Sequence, residues 1–130
     1  EITYTISDGI LTATSALDIT VIPGNNIPVA VNDVATTVQN TSVTIALITA
    51  NDTDVNGTID ATTIELIDPN NSQNIGNSTT SLVILKTGTF TTDASGNINF
   101  IPLREFVGVA NINYTVKDNT GIIFTKEDTI

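Results

Sequence analysis

The sequence predicts an all-β protein, an antiparallel sandwich of short strands, and three observations carry that prediction. Apolar residues alternate with polar ones instead of recurring at helical spacing. Clusters of Asn, Asp, Gly and Pro punctuate the chain at short intervals. A seven-residue segment near the start returns near the end, about 110 residues later, which is the size of one sandwich domain.

The repeated segment is Ile2-Thr3-Tyr4-Thr5-Ile6-Ser7-Asp8, which returns as Ile112-Asn113-Tyr114-Thr115-Val116-Lys117-Asp118. A turn and a second β-rich run follow each copy, Ile10 to Ile22 in one case and Gly121 to Ile130 in the other. Residues 1–22 therefore read as the last hairpin of a preceding repeat. The stretch Val21 to Pro28 is rich in Pro, Gly and Asn, and its prolines cannot donate to a sheet ladder, so residues 23–28 read as a linker. The complete repeat is expected over 29–130.

Within it, strands are expected near 34–38, 42–49, 62–67, 81–86, 88–92, 97–101, 111–117 and 121–129. Val43, Ile45 and Leu47 alternate with Thr44, Ala46 and Ile48. Ile98 and Phe100 alternate with Asn97 and Asn99, and Ile112, Tyr114 and Val116 with Asn113 and Thr115. Each set marks one buried face, which makes Ile45, Leu47, Phe100, Ile112, Tyr114 and Val116 the candidate core. Tyr4, Phe90, Phe106 and Phe124 suit core or edge packing better than a ligand platform. The turns fall at Asn25-Asn26, Asn51 to Asp54, Asn56-Gly57, Asp68 to Asn71, Asp93 to Gly96 and Asp118 to Gly121.

Composition excludes several functions. Four basic residues stand against fourteen acidic ones, for a net charge of -10, and neither Lys nor Arg occurs before Lys86. Phosphate binding needs the opposite sign, so nucleic acid is excluded as a partner and direct contact with an anionic membrane is not expected. Cys, Met, Trp and His are absent. Their absence removes thiol nucleophiles, thiolate and imidazole metal ligands and the commonest general base. The sequence shows no signal peptide and no apolar run long enough to span a bilayer, as expected of an excerpt from a longer chain.

The order Pro28-Val29-Ala30-Val31-Asn32-Asp33, Val43-Thr44-Ile45, Ala50-Asn51-Asp52-Thr53-Asp54, Gly96 to Pro102, Phe106-Val107-Gly108 and Tyr114 to Asp118 resembles the bacterial Ig-like and cadherin-like tandem repeats of large adhesins. Within that group, Gly57 to Asp60, Thr62 to Pro69 and Gly88-Thr89-Phe90 are most similar to the CshA-type fibril repeat. The Asn-rich stretch Asn70 to Ser81 departs from the family pattern. The resemblance implies an Ig-like or cadherin-like sandwich in a secreted or cell-surface bacterial protein. Such a repeat acts as a stalk or spacer in cell adhesion, and its partners are the neighbouring repeats of the same chain. The receptor is not specified. Two other classes fit the same composition: a module that binds carbohydrate or protein directly, and an accessory domain of a secreted enzyme.

In an Ig-like topology the first strand's start, the turn after the second strand and the last hairpin turn share one pole. Asn32, Asp33, Asn51, Asp52, Asp54 and Asp118 are expected there, and oxygen donors from several loops suit Ca²⁺. The competing role for these residues is to bind nearby backbone N–H groups and so shape turns. Catalysis is not expected. Glu65, Glu105 and Glu127 are scattered instead of paired as glycoside hydrolysis requires, and Lys86, Lys117 and Lys126 read as exposed charges instead of crosslinking groups.

Overall fold

The computed structural model describes residues 1–129, with side chains through Ile123. A hairpin of β1 (Ile2–Ser7) and β2 (Thr12–Leu17) precedes the domain. One sheet of the domain has the order β3-β8-β7-β6, from β3 (Val43–Ile45), β8 (Ile98–Pro102), β7 (Gly88–Thr92) and β6 (Leu82–Ile84). The other has the order β10-β9-β4-β5, from β10 (Ile123–Thr129), β9 (Asn111–Asp118), β4 (Ile59–Asp68) and β5 (Asn71–Gly76). Every strand pair is antiparallel, and the described residues contain no helix.

The period-2 pattern explains the core. Ile112, Tyr114 and Val116 of β9 and Leu66 of β4 are fully buried, and so are Leu82, Phe90 and Ile98 of the opposite sheet. Phe90 and Phe100 stack with ring centroids 4.5 Å apart, and Phe106 meets Phe100 edge-on at 6.4 Å. Each such side chain contributes about 1.5–3 kcal/mol by leaving water. The two sheets also meet at one margin, where Gly76 of β5 passes so close to β6 that an added Cβ would lie 2.6 Å from the Leu82 amide nitrogen. Beside it the Asn74 amide donates to the Val83 carbonyl at 2.8 Å.

Several expected elements differ. The strand at 34–38 is not formed; Val34 makes a single bridge, and Val34 and Val38 remain exposed. A turn follows at once, in which the Thr41 amide donates to the Val38 carbonyl and the Thr37 hydroxyl to the Thr41 carbonyl. The strand expected over 42–49 stops at Ile45, because Leu47 takes a left-handed conformation (φ 51°). The Asn97 side chain accepts the Leu47 amide and Gly96 accepts that of Ile48, so Ile48 turns inward in place of Leu47. Of the candidate core, Leu47 is thus half exposed and Ile45 only half buried, whereas Phe100, Ile112, Tyr114 and Val116 are buried. The Asn-rich stretch holds an unforeseen strand, β5, and β4 begins earlier, at Ile59. Phe124, expected to pack, lies outside the described side chains.

The repeated segment holds at atomic detail. Ile6 pairs with Ala13 in the first hairpin as Val116 pairs with Phe124 in the last, across a turn one residue longer. Asp8 Oδ1 accepts the amides of Ile10 and Leu11, and Asp118 Oδ1 accepts those of Thr120 and Ile122. Burial differs sharply. Ile2, Tyr4 and Ile6 are 60%, 51% and 64% exposed, while Ile112, Tyr114 and Val116 are at 0%.

Candidate functional site: the linker-facing pole

Where the linker joins the sandwich, Val29 and Thr53 exchange two backbone hydrogen bonds, which bring the chain alongside the loop after β3. That loop supplies Asn51, Asp52 and Asp54, and the end of β9 supplies Asp118. The six candidate residues fall into two groups. Asn32, Asp33, Asn51 and Asp52 form the first, in which the Asn51 amide donates to Asp33 Oδ1 at 3.1 Å and to the Asn32 carbonyl at 3.5 Å. Asp54 and Asp118 lie in the second, on the linker side.

Asp52 is nearly buried, and both of its oxygens are used inward. Oδ1 accepts the Val31 amide and Oδ2 the Tyr114 hydroxyl, each at 2.8 Å. Burial pushes the Asp33 carboxyl above its ordinary value, the Asp52 charge adds to this, and the Asn51 amide partly offsets it.

In the second group, Asp118 Oδ1 accepts the Thr120 amide and hydroxyl and the Ile122 amide at 2.7–2.9 Å, and Oδ2 accepts the Asn25 side-chain amide. Burial alone would raise the Asp118 pKa, but the hydrogen bonds from Thr120, Asn25 and Ile122 outweigh it and lower the value to about 2. Asp54 Oδ1 accepts the Asn56 amide at 3.2 Å. Its Oδ2 lies over Gly57 beside the Asn119 side chain, and only glycine leaves room there.

This second group grips the linker. The Asn25 side chain also reaches the Thr120 hydroxyl at 3.0 Å. From the other side, Asn56 Oδ1 accepts the Asn26 amide at 2.9 Å and its Nδ2 donates to the Gly24 carbonyl at 2.7 Å. Asn119 joins the two gripping loops by accepting the Thr58 amide at 3.0 Å and donating its own amide to the Thr58 carbonyl at 2.9 Å. The sequence marked Asn25, Asn26, Asn56, Asn119 and Thr120 only as turn residues. Their partners lie 30 to 95 positions away, so no local pattern announces them.

Among the described residues no group of three or more acidic side chains is placed to hold a metal ion, and the oxygens of Asp52 and Asp118 are committed to protein donors.

A two-sheet antiparallel sandwich with a pole that engages the preceding chain defines an Ig-like or cadherin-like repeat domain. The chain belongs to the bacterial cadherin-like domain family, whose profile matches residues 25–130. The match begins at Asn25, so the gripping asparagines fall within it. Comparison with curated proteins and with solved structures returns no match. Domains of this family are typically extracellular and non-catalytic. No helix of the described residues is long and apolar enough to cross a membrane.

Proposed function

We propose that this chain is a spacer repeat of a secreted or cell-surface bacterial adhesin, and that its pole holds successive repeats at a fixed angle. The observation that carries the reading is the grip on Gly24, Asn25 and Asn26 from both sides, by the loops at 54–58 and 118–122. Gly24, Asn25 and Asn26 are exposed, yet they are not left to water alone. Here the backbone of Gly24 and Asn26 and the side chain of Asn25 are all engaged by the domain that follows.

Residues 1–22 then act as the closing hairpin of the preceding repeat, 23–28 as the gripped linker and 29–130 as the repeat. The shared register of the two hairpins and their Asp8 and Asp118 turns support that division. The repeat's partners are its neighbours in the chain, and its contribution to adhesion is reach. The motifs Gly57 to Asp60, Thr62 to Pro69 and Gly88 to Phe90 favour a repeat of the CshA fibril type. In this reading the pole works through its hydrogen bonds.

The test is the angle between hairpin and domain, measured by residual dipolar couplings in excess EGTA. One alignment tensor for both parts is expected, separating into two in the Asn25→Ala/Asn56→Ala chain while the domain stays folded. Separate tensors in the unaltered chain would refute the fixed angle.

A further inference from the structure

The sequence holds one Asn-Gly step, Asn56-Gly57, and it lies in the loop that grips the linker. Glycine is required at 57 for a steric reason: a Cβ there would run into Asp54 Oδ2 and lie 2.7 Å from Asn119 Oδ1. The same bareness leaves the Gly57 nitrogen open to close approach by the side chain before it. Asn56 is exposed to water, and the pair lies ahead of β4, outside any strand. Among the described residues no hydrogen bond engages the Gly57 amide.

These are the conditions for deamidation. The Gly57 nitrogen, on losing its proton, attacks the Asn56 side-chain carbonyl carbon. The new C–N bond closes a succinimide, and the Asn56 Cγ–Nδ2 bond breaks, its nitrogen leaving as ammonia with the proton from Gly57. Water then adds to one of the two imide carbonyls and breaks its bond to the ring nitrogen, which regains a proton. The product is aspartate or isoaspartate at position 56. Water is the one co-reactant, ammonia the one product released, and no electrons are exchanged.

The grip bears on this reaction in both directions. In the gripped state both ends of the Asn56 amide are held, Oδ1 by the Asn26 amide and Nδ2 by the Gly24 carbonyl, and the side chain must let go before it turns toward Gly57. Reaction therefore draws on the released population. Afterwards a carboxylate oxygen replaces the donating Nδ2 and faces the Gly24 carbonyl with no proton between them, so attraction becomes repulsion. The new charge also arises beside Asp54, whose Oδ1 accepts the Asn56 amide. Isoaspartate adds a methylene to the backbone near Thr58, which displaces the Thr58–Asn119 pair joining the two gripping loops.

We propose that Asn56 is a self-modifying site: it deamidates through Gly57 when the linker is released, and its product keeps the grip from re-forming. A fixed joint thereby becomes a hinge, once and without reversal. This deepens the fixed-angle reading and rests on it.

The test holds the unaltered chain in mildly alkaline buffer, with NMR of the side-chain amides to follow conversion and fragmentation mass spectrometry to locate it. Asn56 is expected to convert before every other asparagine. Conversion is expected to be severalfold faster in Asn25→Ala, which loosens the linker from the other side without touching Asn56. Residual dipolar couplings of Asn56→Asp, which carries one product from the start, are expected to give separate alignment tensors for hairpin and domain, where the fresh chain gives one. Circular dichroism checks that each variant keeps the parent fold.

An Asn56 that outlasts other asparagines, an unchanged rate in Asn25→Ala, or a single tensor in Asn56→Asp overturns the proposal. Any of these, with one tensor in the fresh chain, leaves the fixed-angle reading standing. Two tensors in the fresh chain sink both.

Discussion

Tyr114 and Asp52, 62 positions apart, meet inside the domain, where the buried tyrosine hydroxyl donates to Asp52 Oδ2 at 2.8 Å. The other carboxylate oxygen holds the Val31 amide, so one aspartate ties the centre of β9 to the first segment of the domain. Tyr114→Phe leaves that oxygen without its hydroxyl donor and is expected to cost about 1–3 kcal/mol. Asp52→Ala strands both donors and is expected to cost more. Chemical denaturation of the two variants checks the order.

Leu47 and Ile112 were equals in the sequence pattern and are opposites in the structure. Ile112→Ala empties a fully buried site and is expected to cost about 2–5 kcal/mol. Leu47 is half exposed with φ at 51°, a conformation that suits Gly or Asn better than Leu. Leu47→Gly is therefore expected to be neutral or stabilising by up to about 1 kcal/mol. A large loss for Leu47→Gly in the same denaturation series would place its side chain in the core after all.

At Gly76 the two sheets touch through backbone, and the nearest obstacles to a Cβ are the amide nitrogen and Cβ of Leu82, at 2.6 and 2.8 Å. Neither can swing aside as a flexible side chain would. Gly76→Ala is expected to cost about 1–3 kcal/mol by forcing β5 and β6 apart. Differential scanning calorimetry should show a lower midpoint, and an unchanged one would mean that this margin is loose.

Acid should weaken the linker grip in a defined window. An unfolded Asp titrates near 3.9, about two pH units above folded Asp118. With the folded value below the unfolded one, Asp118 stabilises the fold above about pH 4, and this contribution is lost as pH falls toward 2. Asp8 and Asp93, lowered by hydrogen bonds in their own turns, act in the same sense. Asp33 acts oppositely: with its value raised, protonation favours the fold. The thermal midpoint is expected to fall between about pH 4 and 2, and less steeply in Asp118→Asn. Parallel curves for parent and variant would remove Asp118 from the acid response.

The fold was legible where pattern is local and two-sided. The strand expected over 88–92 forms over those same positions, and β9 follows its alternation to within one residue. The reading failed where a non-local partner decides. Alternation through Leu47 continues on paper, but Asn97 draws the Leu47 amide across and reverses the inside and outside of the next residue. In the 70–81 stretch, polar residues hid β5, whose inward contacts are a glycine and an asparagine amide instead of large apolar groups. At the pole, residue type announced carboxylates and amides together. Whether they would face a cation or each other depended on the position of the linker, which no local spacing records.

The gripped linker also fixes how the domain bears load. A pull on residues 1–22 reaches the sandwich first through the Asn26 and Asn56 bonds and then through the Val29–Thr53 pair. These few bonds stand in series ahead of the sheets, so they yield before a strand does. Their release frees the stretch from Gly24 to Pro28, which can then span at most about 3.3–3.6 Å per residue while the core stays closed. Under sudden tension the repeat lengthens a little before it unfolds at all, and when the pull ends the grip can re-form without refolding the sandwich.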